Sequence, residues 1–298
     1  MGVRFWVRRI LHRRDSIGVG KVVLLPLALA GKAYGSLMTA RRALYRSGVF
    51  HSTYAGVPTV CVGNVTVGGT GKTPLVAEVC RILQELGAHP AVLTRGYRGK
   101  LKGRIAAVSD GTHVLLDPAT AGDEPVLLAE RLRSVPVMAG ADRRLSSAEA
   151  VRRFGVDVLV MDDGFQHLRL KRDLNIVVVD ATRPFGNRHC LPRGTLREPL
   201  AALADAHIFV LSRTDLVDAE RKVRLKEELA ALNPLAPILE TVHAPDVMRD
   251  PATGELRGTD WLQGRKVIGF AGIGNPEAFF GELSRLGATL VETVPFPD

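Results

Sequence analysis

GNVTVGGTGKTP, residues 63–74, decides how the chain folds. It follows the apolar run TVCV and precedes a helical pattern that continues through Glu85. Strand, glycine-rich loop and helix in this order form a phosphate cradle: the glycines let backbone N–H groups turn toward the ligand, and the helix N-terminus adds a favourable dipole. The cradle is read as Thr66, Val67, Gly68, Gly69, Thr70, Gly71, Lys72 and Thr73. Lys72 is expected to reach the β- and γ-phosphates of a nucleotide, and the Thr73 hydroxyl to bind magnesium. The spacing departs from G-x-x-x-x-G-K-[ST], because Thr66 stands at the first glycine position. A glycine-rich turn without a ligand is the bland alternative, and three glycines around Gly-Lys-Thr weigh against it.

The next element outward is VDVLVMDDGFQH, residues 156–167, an apolar strand ending in Asp162 and Asp163. A carboxylate at the C-terminal end of a strand beside the phosphate-loop strand is where magnesium or its waters are held. Asp162 is assigned that role. Two aspartates exceed the need of one ion, so Asp163 has the alternative of capping the following turn. His167 has two readings of equal weight, orienting a carboxylate or phosphate, or simply packing.

From Pro58 onward, short runs rich in Val, Ile and Leu alternate with helical patterns, which predicts an α/β fold with a parallel sheet covered by helices on both faces. The turn-rich stretch 233–260 reads as a boundary, followed by a strand–helix–strand pattern. The expected organisation is a basic arm over 1–55, a phosphate-loop domain over 56–245 and the start of a smaller α/β domain over 246–298.

The formal net charge is +9, and residues 1–50 carry ten basic residues against the single acid Asp15. The remainder is therefore balanced, a neutral globule with a basic arm. The arm's most apolar stretch, 22–30, is too short to span a bilayer, which takes about 20 residues. Tyr34, Leu37, Met38, Leu44 and Tyr45 recur at helical spacing with Arg41, Arg42 and Arg46 nearby. Together with Phe5, Trp6 and Ile10 among arginines, this predicts an element lying on an anionic membrane surface; a helix packed on the domain with solvated arginines is the alternative. No aromatic-interleaved or recognition-helix pattern points to nucleic acid. Cys61, Cys80 and Cys190 are too scattered for a disulfide framework or a zinc site, and fit a reducing cytosol.

GNVTVGGTGKTP, TRGYRG (94–99), GDEP (122–125), DDGFQH (162–167), RPFGN (183–187), LPRGTLREPL (191–200) and GIGNP (272–276) occur in that order. The series resembles the tetraacyldisaccharide 4'-kinases, the lipid A kinases of Gram-negative bacteria. The resemblance implies an ATP- and magnesium-dependent phosphotransferase acting on the 4'-hydroxyl of an acylated glucosamine disaccharide 1-phosphate to give lipid IVA. It also implies a monotopic enzyme on the cytoplasmic face of the inner membrane, with no protein partner, whose phosphate-loop domain faces a smaller α/β domain across the nucleotide. By the same resemblance Asp123 becomes the general base, Glu124 a magnesium partner, and Asp163 and His167 site residues. Arg95, Tyr97, Arg183 and Arg197 become contacts to nucleotide or sugar phosphate. In the family the strand ending at Asp298 continues into two histidines and a helical segment, so the chain is expected to be a fragment lacking the histidine that pairs with Asp123.

Two other readings compete. SRTD, residues 212–215, loosely resembles the N/T-K-x-D guanine-reading motif of GTPases and metallochaperone NTPases, with Arg213 in place of its lysine. A membrane-tethered module that only senses nucleotide is the second.

Overall fold

The computed structural model describes residues 20–97, 99–101, 103–242, 244–273 and 276–296. Much of the basic arm, including Phe5, Trp6 and Ile10, lies outside the described residues, as do Gly274 and Asn275 of GIGNP. Two compact units divide between Thr241 and Val242, four residues before the boundary expected at 245.

The first unit opens with helix α1 (Gly20–Arg46), which carries Pro26 within it. It continues with β1 (Thr59–Gly63), α2 (Lys72–Glu85), β2 (Pro90–Thr94), β3 (Ala106–Ser109), the short α3 (Pro118–Ala121), α4 (Asp123–Arg131), β4 (Val137–Ala139), α5 (Arg143–Phe154), β5 (Val158–Asp162), β6 (Leu174–Asp180), β7 (Ile208–Ser212), α6 (Ala219–Leu232) and β8 (Ile238–Glu240). The strands form one sheet in the order β3-β4-β2-β5-β1-β6-β7-β8. All neighbours are parallel except β3, which runs antiparallel to β4 at the edge.

Strand burial explains the continuous apolar runs. Along β1, β5 and β6 successive side chains enter opposite cores, because side chains alternate across a pleated strand. Cys61, Leu159, Met161, Val177 and Val179 face one core with Phe165, Phe209 and Leu229. Val60, Val62, Val158, Val160 and Val178 face the other with Val76, Cys80 and Leu128. Helices α2 and α4 thus cover one face, and α5 and α6 the other.

Helix α1 packs one stripe on the domain, as the second expectation for the arm had it, and leaves another side exposed. Leu24, Gly31, Gly35 and Arg42 are buried, a spacing of seven, four and seven that marks one helical stripe. A Cβ on Gly31 would stand 2.9 Å from the Cys190 carbonyl oxygen, so glycine permits the close approach. Leu25, Leu29, Leu37 and Leu44 are exposed on the opposite side. Among the described residues no helix is long and apolar enough to cross a membrane.

The second unit holds a hairpin of β9 (Val247–Arg249) and β10 (Leu256–Gly258), then β11 (Lys266–Ala271), α7 (Pro276–Arg285) and β12 (Thr289–Pro295). β11 and β12 are parallel, the strand–helix–strand pattern expected from the sequence. The stretch 233–260, read as a boundary, in fact contributes β8 to the first unit and the β9–β10 hairpin to the second.

Candidate active site

The phosphate loop leaves β1 at Gly63, where a Cβ would collide with Phe165 at 2.6 Å, and enters α2 at Lys72. Gly68 and Gly71 have φ of 112° and 87°, a region that disfavours residues with a Cβ. Asn64, fully buried, organises the loop from inside. Its Nδ2 donates to the hydroxyls of Thr66 and Thr70, and its Oδ1 accepts from Lys72 Nζ at 3.2 Å. The Val67 amide donates to the Thr195 carbonyl and the Arg197 amide to the Val65 carbonyl. Thr66 and Val67 are therefore backbone-paired with the LPRGTLREPL segment. Thr73 follows Lys72 in the first turn of α2, half-buried.

Asp162 and Asp163 have opposite surroundings. Asp162 ends β5 with its side chain in the interior, and its Oδ1 is buried without a hydrogen-bond partner among the described residues. Burial, then the neighbouring Asp163 and Glu124 charges, push its carboxyl up to about 7, against the pull of Lys72 and Arg143. Asp163 turns out of the strand at φ 53°. Its carboxylate lies 3.5 Å from Lys72 Nζ and accepts from Arg197 NH1 at 2.7 Å. Burial would raise its pKa, yet Lys72 and Arg197 together hold it below the usual carboxylate range. A like-charged pair driven apart in this way leaves one permanent anion and one carboxyl that prefers a cation beside it before it ionises.

TRGYRG and GDEP form one assembly. Gly122, at φ 96°, lies so close to Tyr97 that a Cβ would stand 2.3 Å from the Tyr97 carbonyl oxygen. This contact sets the start of α4, where Asp123 and Glu124 are exposed in the first turn. Glu124 is near enough to raise the Asp162 pKa. Tyr97 and Arg95 are exposed on the same loop.

His167 lies four residues beyond Asp163 on the loop after β5. Its Nε2 is buried without a partner among the described residues, and burial, then Arg143, lower its pKa to about 4, so it is a neutral imidazole at pH 7. Arg183 lines an open cavity of ≈ 770 Å³ with Phe185, Arg188, Arg221 and Arg224.

Several residues that hold this site were given no role in it by the sequence, Tyr34, Arg41 and Arg42 having been read only as parts of the arm. Arg42 of α1 is buried, donates to Glu198 at 2.5 Å, pairs with Asp205, and lies 4.8 Å from the centre of the Phe165 ring. Gln166 donates to the Asn64 carbonyl at 2.9 Å and to Glu198 at 3.3 Å. The Tyr34 hydroxyl donates to the Arg197 carbonyl and Arg41 to the Gln166 carbonyl. Buried Arg143 donates to the carbonyls of Gly140 and Asp162. Only Asn64 had a local signal, its place between strand and glycines; the others depend on contacts more than a hundred residues apart or on burial.

A parallel sheet with a glycine loop entering a helix, a lysine at the helix start and an acidic strand end beside it defines a P-loop phosphotransfer protein. Residues 21–298 match the family model described as tetraacyldisaccharide-1-P 4'-kinase, and the chain belongs to that family. The tetraacyldisaccharide 4'-kinase of Anaeromyxobacter sp. (strain Fw109-5) is 45% identical over 277 residues, covering 93% of this chain and 74% of that protein. That of Syntrophus aciditrophicus (strain SB) is 44% identical over 264 residues, covering 87% of this chain and 71% of that protein. The crystal structure of LpxK from Aquifex aeolicus in complex with ATP superposes with a TM-score of 0.75 at 30% identity, covering 93% of this chain and 82% of that one. The family assignment carries the kinase reading and displaces the GTPase alternative.

Proposed function

We propose that the chain transfers the γ-phosphate of ATP to the 4'-hydroxyl of a tetraacylated glucosamine disaccharide 1-phosphate, forming lipid IVA, at the cytoplasmic face of a bacterial inner membrane. The observation that carries the reading is the linked set Lys72, Asp163 and Arg197 at the phosphate loop, beside the unpartnered carboxyl of Asp162. Phosphoryl transfer asks the protein chiefly for positioning and charge stabilisation. Asp163 holds Lys72 and Arg197 as two cations from opposite sides, which suits the developing charge on phosphoryl oxygens.

The buried Oδ1 of Asp162 fits a divalent cation, since a carboxyl raised by burial and by Asp163 ionises readily only when positive charge approaches. Asp162, the Thr73 hydroxyl and Glu124 would hold magnesium together with the nucleotide phosphates, a set in keeping with its usual use of one or two carboxylates. When bound, the ion would supply charge neutralisation to the nucleotide phosphates. Asp123, exposed on the turn that Gly122 presses against Tyr97, is proposed to take the proton of the acceptor hydroxyl. Arg95, Tyr97 and Arg197 stand on the two loops that would meet nucleotide and sugar phosphate, and the exposed leucines of α1 supply the membrane contact.

The test is incubation with ATP, magnesium and the tetraacyl disaccharide 1-phosphate in detergent. The expected product is heavier by one phosphate and its formation consumes ATP in step. ATP consumption indifferent to the acceptor, or the absence of that product, would refute the proposal.

A further inference from the structure

The loop after β6 and one face of α6 bound the open cavity of ≈ 770 Å³. Arg221, Arg224, Leu225 and Glu228 line it from α6 at the i, i+3, i+4, i+7 spacing of a single face, so it follows about 10 Å of helix. Arg183, Phe185 and Arg188 line it from the loop. That wall is fixed: Asn187 is buried and its Nδ2 donates to the Arg193 carbonyl at 3.0 Å, and a Cβ on Gly186 would collide with Thr195. Arg188, at φ 64°, reaches across to α6 and places both terminal nitrogens on the Glu228 carboxylate.

Four guanidiniums thus share the cavity with one carboxylate, which Arg188 already occupies. Arg221 donates to the Thr182 carbonyl, which leaves its charge uncompensated. Arg224 makes an exposed pair with Glu220 at 3.1 Å, worth about 0.3–0.5 kcal/mol. Arg183 is exposed and forms no ion pair among the described residues. Guanidiniums gathered in this way suit a phosphate, which accepts paired N–H donors from the planar fork. The cavity has the volume of a small-molecule site rather than of a bare phosphate, and Phe185 and Leu225 give it an apolar floor.

The same loop runs on to α1. The Cys190 carbonyl lies against Gly31, and Lys32 is near enough to His189 to lower its pKa, after burial and Arg193. Lys32 is exposed on one stripe with Leu25 and Leu29, again at i, i+4, i+7. An amphiphile with its chains along those leucines has its polar end on the Lys32 side, toward the loop that carries Arg188. We infer that the cavity between residues 182–188 and α6 is a headgroup site for an anionic phospholipid, with Arg221 and Arg224 holding its phosphate. The inference deepens the proposed membrane contact of α1 and rests on it. α6 covers one face of the sheet and α2, which carries Lys72, the other, so the site is separate from the phosphate loop.

Co-sedimentation of the wild type and the double variant Arg221→Lys/Arg224→Lys tests it, using vesicles of phosphatidylcholine with either phosphatidylglycerol or oleate at equal surface charge. Lysine keeps the charge, and with it the diffuse attraction to an anionic surface, but has no fork. The wild type should prefer phosphatidylglycerol. The variant, its fold checked by circular dichroism, should bind oleate vesicles within about twofold of wild type and phosphatidylglycerol vesicles about tenfold more weakly, the size of one charge-assisted hydrogen bond. Its ATP binding by calorimetry should be unchanged. Equal loss on both vesicles, or no loss, overturns the headgroup site and leaves the membrane contact standing. Weakened ATP binding assigns the cavity to the nucleotide site and overturns it as well. Release of the wild type by inorganic phosphate, where chloride of the same ionic strength has no effect, makes the cavity a free-anion site and overturns the lipid assignment. A folded wild type that sediments with neither vesicle overturns the membrane contact and this inference together, while product formation in detergent still decides the kinase reading.

Discussion

Replacing Asp162 with asparagine should make the protein more stable and catalytically dead. The carboxyl of Asp162 rises from 3.8 to about 7, with burial as the main cause. At 1.36 kcal/mol per pKa unit, holding it ionised above pH 7 costs the fold about 4 kcal/mol. Because the folded pKa lies above the unfolded one, the penalty is absent below about pH 4, grows as pH rises and is complete above pH 7. Asparagine removes the charge but leaves an amide to satisfy in a site with few partners, which costs about 1–3 kcal/mol. A net gain of about 1–3 kcal/mol remains at pH 8, and for a unit of this size it raises the unfolding midpoint by about 2–10 °C. The assay is thermal unfolding without nucleotide at a series of pH values, beside phosphotransfer. The gain should shrink as pH is lowered from 7 toward 4, and magnesium with ATP should stabilise the wild type more than the variant. A variant less stable than wild type at pH 8 would refute the buried-charge argument, and one that retains full transfer would remove Asp162 from the metal site.

Lys72→Ala should fold normally and lose nearly all transfer, checked by circular dichroism and product formation, since its side chain faces the loop rather than either core. Asp123→Asn should lower kcat by about 10²–10⁴ with little change in KM for ATP, as expected for a base acting on the acceptor; collapse of ATP affinity instead would mark Asp123 as a nucleotide or metal contact. Arg42→Ala should destabilise the first unit by about 3–5 kcal/mol in denaturant titration, because Glu198 is left buried without its cation. Changing Leu25, Leu29 and Leu37 together to serine should release the protein from anionic vesicles in a sedimentation assay while leaving ATP binding intact, because all three side chains point away from the domain.

How far the sequence could be read depended on the range of the contact involved. The loop at 63–74 and the acidic end of β5 were legible because strand, turn and helix follow one another directly, and a continuous apolar run already means burial on both faces. β8 was not legible: Pro234 and Pro237 both precede a three-residue strand, and only pairing with β7 makes it one. The sequence assigned magnesium to Asp162 but could not give the surroundings of the two carboxylates, since these are set only when the chain turns at φ 53° and sends Asp163 to Lys72 and Arg197 while Asp162 stays inside. The arm was only partly legible, for periodicity finds an apolar stripe without saying which side of the helix is packed. The structure shows that the packed stripe ends in Arg42, whose partners Glu198 and Phe165 lie in the two segments that also supply Arg197 and Asp163. A helix that presents leucines outward while gripping both segments inward makes the exposed leucine face and the phosphate site parts of one packed body. The placement of the arm thus constrains the orientation of the site that a lipid acceptor must reach.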